Sequence, residues 1–368
     1  MGGALALSAC APKSGSPLNV FDTAWSLVET EFYDTALHGV DWRHARHIYR
    51  PQAAHAADSA ALYLDCLNPM LARLQSSHLM AVPPPHTQLK PGRRYALPSA
   101  SASLLTREDE IALGLTLSGQ NPTVIDSAAP TKPAYLAGLR RGDRFWIKEV
   151  RGNPHARSAI LTIDNEPRSK VVNWTALPAP WVMTTSIDEV PVLRFDRFAP
   201  IDEGLISDTL RRDAPCLVID LRRNQGGDLR TLARLVSHLL PYKASLGTLV
   251  GRRRRIDATA RSETVNLTTH LAILVGPRSQ SAAEIFAAVL RDHGRARLFG
   301  ERTAGDVLLS ETRPLPDQGR LQIPIWDYRR PSGTRLEAIG VRPDTASAAT
   351  DTQPLPAMAA AWLAKQDR

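Results

Sequence analysis

The chain has 368 residues, of which 43% are hydrophobic and 22% charged, with a formal net charge of +8 and a pI near 9.7. At about 100–200 residues per domain, that length holds two or three domains with a full core. The apolar content is not that of a disordered chain, no window reaches the roughly 18 consecutive apolar residues of a spanning helix, and three cysteines cannot staple a protein of this size. The basic excess does not point to nucleic acid. Only seven of the 45 basic residues are lysines, the arginines are scattered apart from the run Arg252 to Arg255, and no aromatic interleaving, zinc pattern or recognition helix accompanies them.

At the amino terminus, Leu7-Ser8-Ala9-Cys10 resembles a bacterial lipobox, in which small residues precede a cysteine that is lipidated. No basic region precedes it and its apolar stretch is short. The segment 1–17 then reads as a signal remnant and polar tether, with Cys10 as the membrane anchor and the cell envelope as the compartment. Cys66 and Cys216 lie in apolar stretches and read as buried free thiols.

Residues 18–88 read as a helical domain. Phe21, Trp25, Leu27, Val28 and Phe32 recur near helical spacing, and a second apolar-periodic run covers Ala60 to Leu74. Pro83-Pro84-Pro85 ends regular structure there. The block 100–185 carries a strand-like run, Ile111 to Leu115, broken by Gly114, followed by a short helix from Pro133 that closes into a turn through Gly138 and Gly142. Together these resemble a PDZ domain, in which Leu113, Gly114 and Leu115 present backbone N–H groups to a peptide carboxylate and accept the peptide as an added strand. A glycine turn in another small β-domain is the plainer reading, and Asn153 to Val172 shows no clear binding helix.

From 188 to 348 the pattern alternates. Val192–Phe195 is a short strand, Asp202 to Arg211 is helical, and Cys216–Asp220 and Leu271–Val275 are continuous apolar strands of the kind buried in a parallel sheet; Ala282 to Asp292 is a helix. The fold class is α/β. A tail or helix, 349–368, follows.

Two strand ends stand out. Asp220-Leu-Arg-Arg-Asn224-Gln-Gly226-Gly227 follows one buried strand; Gly276-Pro-Arg-Ser279-Gln-Ser281-Ala282-Ala283-Glu284 follows the other and opens a helix. Alone, Ser281 reads as an N-cap and the glycines as a tight turn. Together, a serine beside the free N–H groups of a helix N-terminus and a glycine pair that allows close backbone approach form the parts of an oxyanion site. With Gly300-Glu-Arg-Thr303-Ala-Gly305 and Glu337-Ala-Ile-Gly340-Val341-Arg-Pro343-Asp344, the set resembles the C-terminal-processing, or tail-specific, serine protease superfamily over residues 20–345.

The resemblance implies a crotonase/ClpP-like α/β core with an N-terminal helical domain and an inserted PDZ-like β-domain. It also implies a peptide or protein substrate, and a nucleophile at Ser281 with oxyanion donors from Ala282 and from Gly226 or Gly227. Tail-specific members place a lysine directly after the Thr-x-Gly turn, whereas Asp306 stands there and no lysine occurs between Lys243 and Lys365. A serine hydroxyl needs a base, so Ser-Lys catalysis does not fit. The tricorn-core-like branch uses a histidine in a Leu-x-Asp-Ser-His context. This sequence has Leu74-Gln-Ser76-Ser77-His78, and the same branch has a carboxylate at the position of Glu337. The implied set is Ser281 with His78 as base, and Glu337, with Ser77, orienting the imidazole. Glu284 reads as structural, favoured by its helix N-terminus; Asp306 reads as a turn residue, with recognition of a basic substrate group as the other reading. No metal or cofactor is assigned. A non-catalytic peptide- or apolar-ligand-binding protein on the same fold is the main rival, since Ser76 replaces the motif aspartate; an acyl-CoA enzyme is a weaker one.

Overall fold

The computed structural model describes residues 15–84, 87, 113, 115–117, 125–130, 132–143, 145–153, 156–163, 170–174, 181–212, 214–262, 265–347 and 355–366, without the side chains of 116, 117, 126, 127, 145–153, 156–163, 170 and 174. The lipobox-like segment with Cys10 and the loop residue Gly114 lie outside them. The chain forms two compact units. One comprises residues 1–98 with Ser310–Ile325, the other Ser99–Leu309 with Trp326–Arg368.

The first unit is built on helices. α1 (Pro17–Glu31) starts where Ser16 Oγ accepts the Asn19 N–H at 3.3 Å, with a proline in the first turn. α2 (Trp42–Ala54) is capped by Asp41, which accepts the His44 N–H at 2.8 Å. Ser59–Ala61 (α3), a π-helical stretch Leu62–Leu67 and Asn68–Ala72 (α4) follow one another without a break, where the apolar run from Ala60 predicts helix. Val20, Phe21, Ala24 and Val28 of α1 pack with Tyr63, Leu67, Met70 and Leu71. Trp25 and Trp42 each donate an indole N–H to the other's carbonyl, at 3.0 and 3.1 Å. The strand β1 (Met80–Val82) pairs antiparallel with residues 320–322. The sequence reading runs the α/β domain unbroken from 188 to 348, yet Leu315, Leu321 and Ile323 belong to the core of this helical unit. Alternating apolar residues specify a strand and leave open which core it joins.

The second unit begins with β2 (Leu115–Leu117) antiparallel to β3 (Ile125–Ala128), then a single helical turn, α5 (Pro133–Leu136), closing through Gly138. An antiparallel meander of β4 (Phe145–Asn153), β5 (Ala156–Ile163) and β6 (Lys170–Trp174) follows.

The main sheet comes next. β7 (Val182–Ile187) and β8 (Val190–Phe195) form a hairpin whose two turn residues, Asp188 and Glu189, both have positive φ. α6 (Glu203–Leu210) leads to β9 (Cys216–Asp220), and α7 (Leu229–Ser237) to the hairpin β10 (Ser245–Gly251) and β11 (Arg255–Thr259). β12 (His270–Val275), α8 (Ala282–Asp292) and β13 (Ala296–Gly300) continue the chain; β14 (Leu309–Pro314), β15 (Arg320–Arg329), β16 (Thr345–Ala346) and α9 (Leu355–Leu363) complete it. The order β16-β13-β12-β9-β8-β7 is parallel except at the β7 edge.

Alternation explains why β9 and β12 read as unbroken apolar runs. Leu217, Ile219, Leu271 and Ile273 face one core with the buried helix α8, while Cys216, Val218, Ala272 and Leu274 face a second core with α9. A sheet covered on both faces has no polar side to alternate with. Cys66 and Cys216 are both buried and unbridged. No helix among the described residues is long and apolar enough to cross a membrane.

Candidate active site

Three neighbouring parallel strands, β9, β12 and β13, deliver their following loops to one edge of the sheet, the carboxyl ends where open α/β sheets place ligands. Backbone hydrogen bonds lace the loops together. Gln280 N–H donates to the Asn224 carbonyl at 3.0 Å, Ala304 N–H to Ser279 at 3.2 Å and Ser281 N–H to Asp306 at 2.9 Å. Ser279, fully buried, donates its hydroxyl to the Leu221 carbonyl at 2.8 Å.

Ser281 is the residue that enters α8, at φ 52° and ψ −119°. For a residue with a Cβ this is a sparsely populated conformation costing about 1–3 kcal/mol, and it persists only where the surroundings fix it. The surroundings here are the Asp306 carbonyl and the carboxylate of Glu284, both of which accept from the Ser281 N–H, the latter at 3.2 Å.

Gly226 and Gly227 sit at positive φ, 92° and 138°. A Cβ on Gly226 would lie 2.7 Å from Ser281 Cβ and 3.1 Å from Ala282 N; one on Gly227 would lie 2.2 Å from the Phe198 carbonyl oxygen. Glycine at 226 therefore leaves open the volume in front of Ser281 and the helix N-terminus. The N–H of Gly226 is not a free donor, because it is bound to Asn224 Oδ1 at 2.8 Å. This corrects its assignment as an alternative oxyanion donor: Gly226 serves sterically. Among the described residues the N–H groups of Gly227 and Ala282 have no protein partner, as expected for a solvent-facing turn and the first residue of a helix. Asn224, fully buried, fixes the turn by also donating to the Phe195 carbonyl at 2.9 Å. Sequence reasoning did not single out Asn224 or Ser279; their places in Asp-x-x-x-Asn-x-Gly-Gly and Ser-x-Ser were the available signal.

Glu284 is fully buried, and its carboxylate accepts four hydrogen bonds. These come from Thr303 Oγ1 at 2.5 Å, Gly305 N–H at 2.7 Å, Asp306 N–H at 2.9 Å and Ser281 N–H. Burial pushes its pKa up to about 7 despite those donors. It joins the serine's backbone to the Thr303–Asp306 turn, which makes it a positioning residue. Asp306, at the position of the expected lysine, contributes its backbone N–H and carbonyl to this brace. Its carboxylate lies 3.5 Å from Gln280 Nε2.

Glu337 is buried and accepts the Val307 N–H at 2.9 Å. The neighbouring Ala338 N–H donates to the Gly305 carbonyl at 2.8 Å. The structure thus brings Ser281, Ala282, Gly226, Gly227, Glu284 and Asp306 together at one loop cluster, with Glu337 joined to it through the Val307 N–H and Ala338 through the Gly305 carbonyl.

In the first unit, His78 occupies a turn at φ 57° between α4 and β1. Its Nδ1 is 3.0 Å from Ser77 Oγ, which leaves Nε2 as the acceptor when Nδ1 carries the proton. Burial lowers its pKa to about 4, so the ring is neutral at physiological pH. The turn is held by Asn68, whose side chain clamps Ala81: Nδ2 donates to its carbonyl at 3.0 Å and Oδ1 accepts its N–H at 2.8 Å. Of the proposed peptide-binding residues, Leu113 and Leu115 are buried.

A model of peptidase family S41 matches residues 201–347, and one of the tricorn protease C1 domain matches residues 17–72. The chloroplastic carboxyl-terminal-processing peptidase 2 of Arabidopsis thaliana is 24% identical over 360 residues, covering 88% of this chain and 68% of the relative. The carboxyl-terminal-processing protease of a Picosynechococcus strain is 22% identical, covering 87% of this chain and 81% of the relative. Among solved structures, a photosystem II D1 C-terminal processing protease superposes with a TM-score of 0.59 at 21% identity, covering 90% of this chain and 93% of the other. That last likeness is one of fold.

Proposed function

This chain belongs to the C-terminal-processing serine protease superfamily, and from that premise we propose a Ser281, His78 and Glu337 mechanism for its serine-type peptidase activity. Ser281 Oγ attacks the scissile carbonyl carbon while His78 Nε2 takes the hydroxyl proton. The N–H groups of Ala282 and Gly227 receive the oxyanion. The tetrahedral adduct collapses, the C–N bond breaks, and His78 returns the proton to the leaving amine. Water then attacks the acyl ester with His78 again as base, releasing the carboxylate product. Ser77 fixes the imidazole tautomer and Glu337 stabilises the imidazolium.

One observation carries this reading: a strained serine beside two partnerless N–H groups, with glycine keeping the space before them open. The lysine-free segment and Asp306 in the lysine position support a histidine base over a Ser-Lys pair. The core is read as crotonase/ClpP-like, and the block 100–185 as a PDZ-like domain whose Leu113, Gly114 and Leu115 loop biases the enzyme toward peptide C-termini. Cys10 is read as a lipid anchor in the cell envelope.

Fluorophosphonate labelling tests the site. The purified chain is expected to take the label and hydrolyse a C-terminal peptide substrate; Ser281→Ala is expected to do neither. Hydrolysis surviving in Ser281→Ala overturns the assignment. Wild-type hydrolysis rates retained by His78→Ala overturn the choice of base.

A further inference from the structure

In the second unit, the hairpin strand β11 pairs with β10 on one side and with no strand among the described residues on the other. Its residues Ile256 to Thr259, with α6 and α7, line a groove of about 1180 Å³. Ala233, Leu246 and Ala258 give it an apolar lining. Ile256 is 42% exposed, a large apolar side chain left uncovered on a strand edge.

The lining carries Arg211, Arg230, Arg234 and Arg261 against Glu203 and Asp257, an excess of positive charge, and Asp257 is engaged by the Thr248 hydroxyl at 2.6 Å. Arg234 is neutralised by Glu203, a bidentate pair with both contacts at 2.5 Å. Arg230 and Arg261 also line the groove, are exposed, and have no acidic partner among the described residues. The strand is entered from the Arg252 to Arg255 turn, in which Arg253, Arg254 and Arg255 are exposed. The Arg252 to Arg255 run therefore leads directly into the strand whose residues Ile256 to Thr259 line a partly apolar groove.

A free edge offers an outward N–H and C=O at every second residue, and alternating side chains of an added strand meet opposite walls. We propose that this groove is a second peptide-binding site, which takes an extended acidic segment of a protein substrate as a strand added to β11. Its carboxylates pair with Arg230 and Arg261, and its apolar side chains cover Ile256 and Ala258. This rests on the peptidase reading only in that the bound segment belongs to a substrate. The groove itself lies on α6, α7 and β11 and uses no residue of the Ser281 assembly.

The test is fluorescence anisotropy with full-length Ser281→Ala protein, so that nothing is consumed. The probe is a fluorescein-labelled peptide of alternating valine and glutamate, with its valine and lysine counterpart as control. The acidic peptide is expected to bind and the basic one not. Arg230→Glu with Arg261→Glu is expected to weaken the acidic peptide at least about tenfold, equivalent to about 1.4 kcal/mol. Both arginines are exposed, so the fold tolerates the change. Methylating alternate backbone nitrogens of the peptide is expected to abolish binding by removing its strand donors. Equal binding of both peptides, or no effect of the charge reversals, overturns the acidic site; full binding by the methylated peptide overturns strand addition. Binding by a protein whose Ser281 never hydrolyses or labels keeps the groove and removes the peptidase mechanism, and the converse pattern does the reverse.

Discussion

Glu284→Gln combined with a pH series isolates the buried carboxyl that braces the serine. The folded-state pKa of Glu284 is raised from 4.5 to about 7. The folded protein therefore binds more protons than the unfolded chain between those values, and stability falls as pH rises through that window. At about 1.4 kcal/mol per pH unit the loss is about 3 kcal/mol; the full burial of the group argues against any discount for screening. The glutamine amide best keeps its oxygen on the Ser281 and Asp306 N–H groups and turns its NH2 toward Thr303 Oγ1, leaving the Gly305 N–H unpaired. It mimics the protonated acid and has no titration. Urea denaturation of both proteins from pH 4.5 to 8 should show the wild-type advantage over the variant shrinking by about 3 kcal/mol as pH rises. A difference that is flat, or that grows with pH, refutes the reasoning. It would mean that the four donors outweigh burial and that the carboxylate ionises in its ordinary range.

The remaining predictions concern neighbours of the same chemistry. Gly226→Ala places a Cβ 2.7 Å from Ser281 Cβ at a φ unfavourable to L-residues, and should slow fluorophosphonate labelling by about 100-fold or more; a labelling rate within a few-fold of wild type counts against the open volume. Asn68→Ala leaves the buried Ala81 N–H and C=O unpaired and should cost about 2–4 kcal/mol in urea denaturation. A cost well under about 1 kcal/mol shows that the clamp is not needed. Because burial lowers the pKa of His78 to about 4, the acidic limb of kcat/KM should fall as pH drops through about 4. A limb near the ordinary histidine value of 6.5 refutes a desolvated base.

The covered sheet was legible because a strand buried on both faces must be apolar along its buried length, as Cys216 to Ile219 and Leu271 to Val275 are. Ser281 at a helix start was legible too, because N-terminal chemistry is written within a few consecutive residues. By itself the sequence determined the strand and helix order around the site, the Gly-Gly turn, and the replacement of the expected lysine by Asp306.

The tertiary structure decided which backbone donor is available. Gly226 and Gly227 are equivalent in sequence, and only the position of Asn224 Oδ1 shows that the first N–H is taken. It also turned Glu284 from a helix-end charge into the acceptor of four hydrogen bonds, three of them from residues 19 to 22 positions away. Leu315, Leu321 and Ile323 went to the helical core, and Arg230 and Arg261, distant in sequence, to one groove, for the same physical reason. Periodicity and motif record what a residue does within its own turn or strand, whereas the partner of a buried polar group or an apolar face comes from distant chain and exists only once the fold has closed.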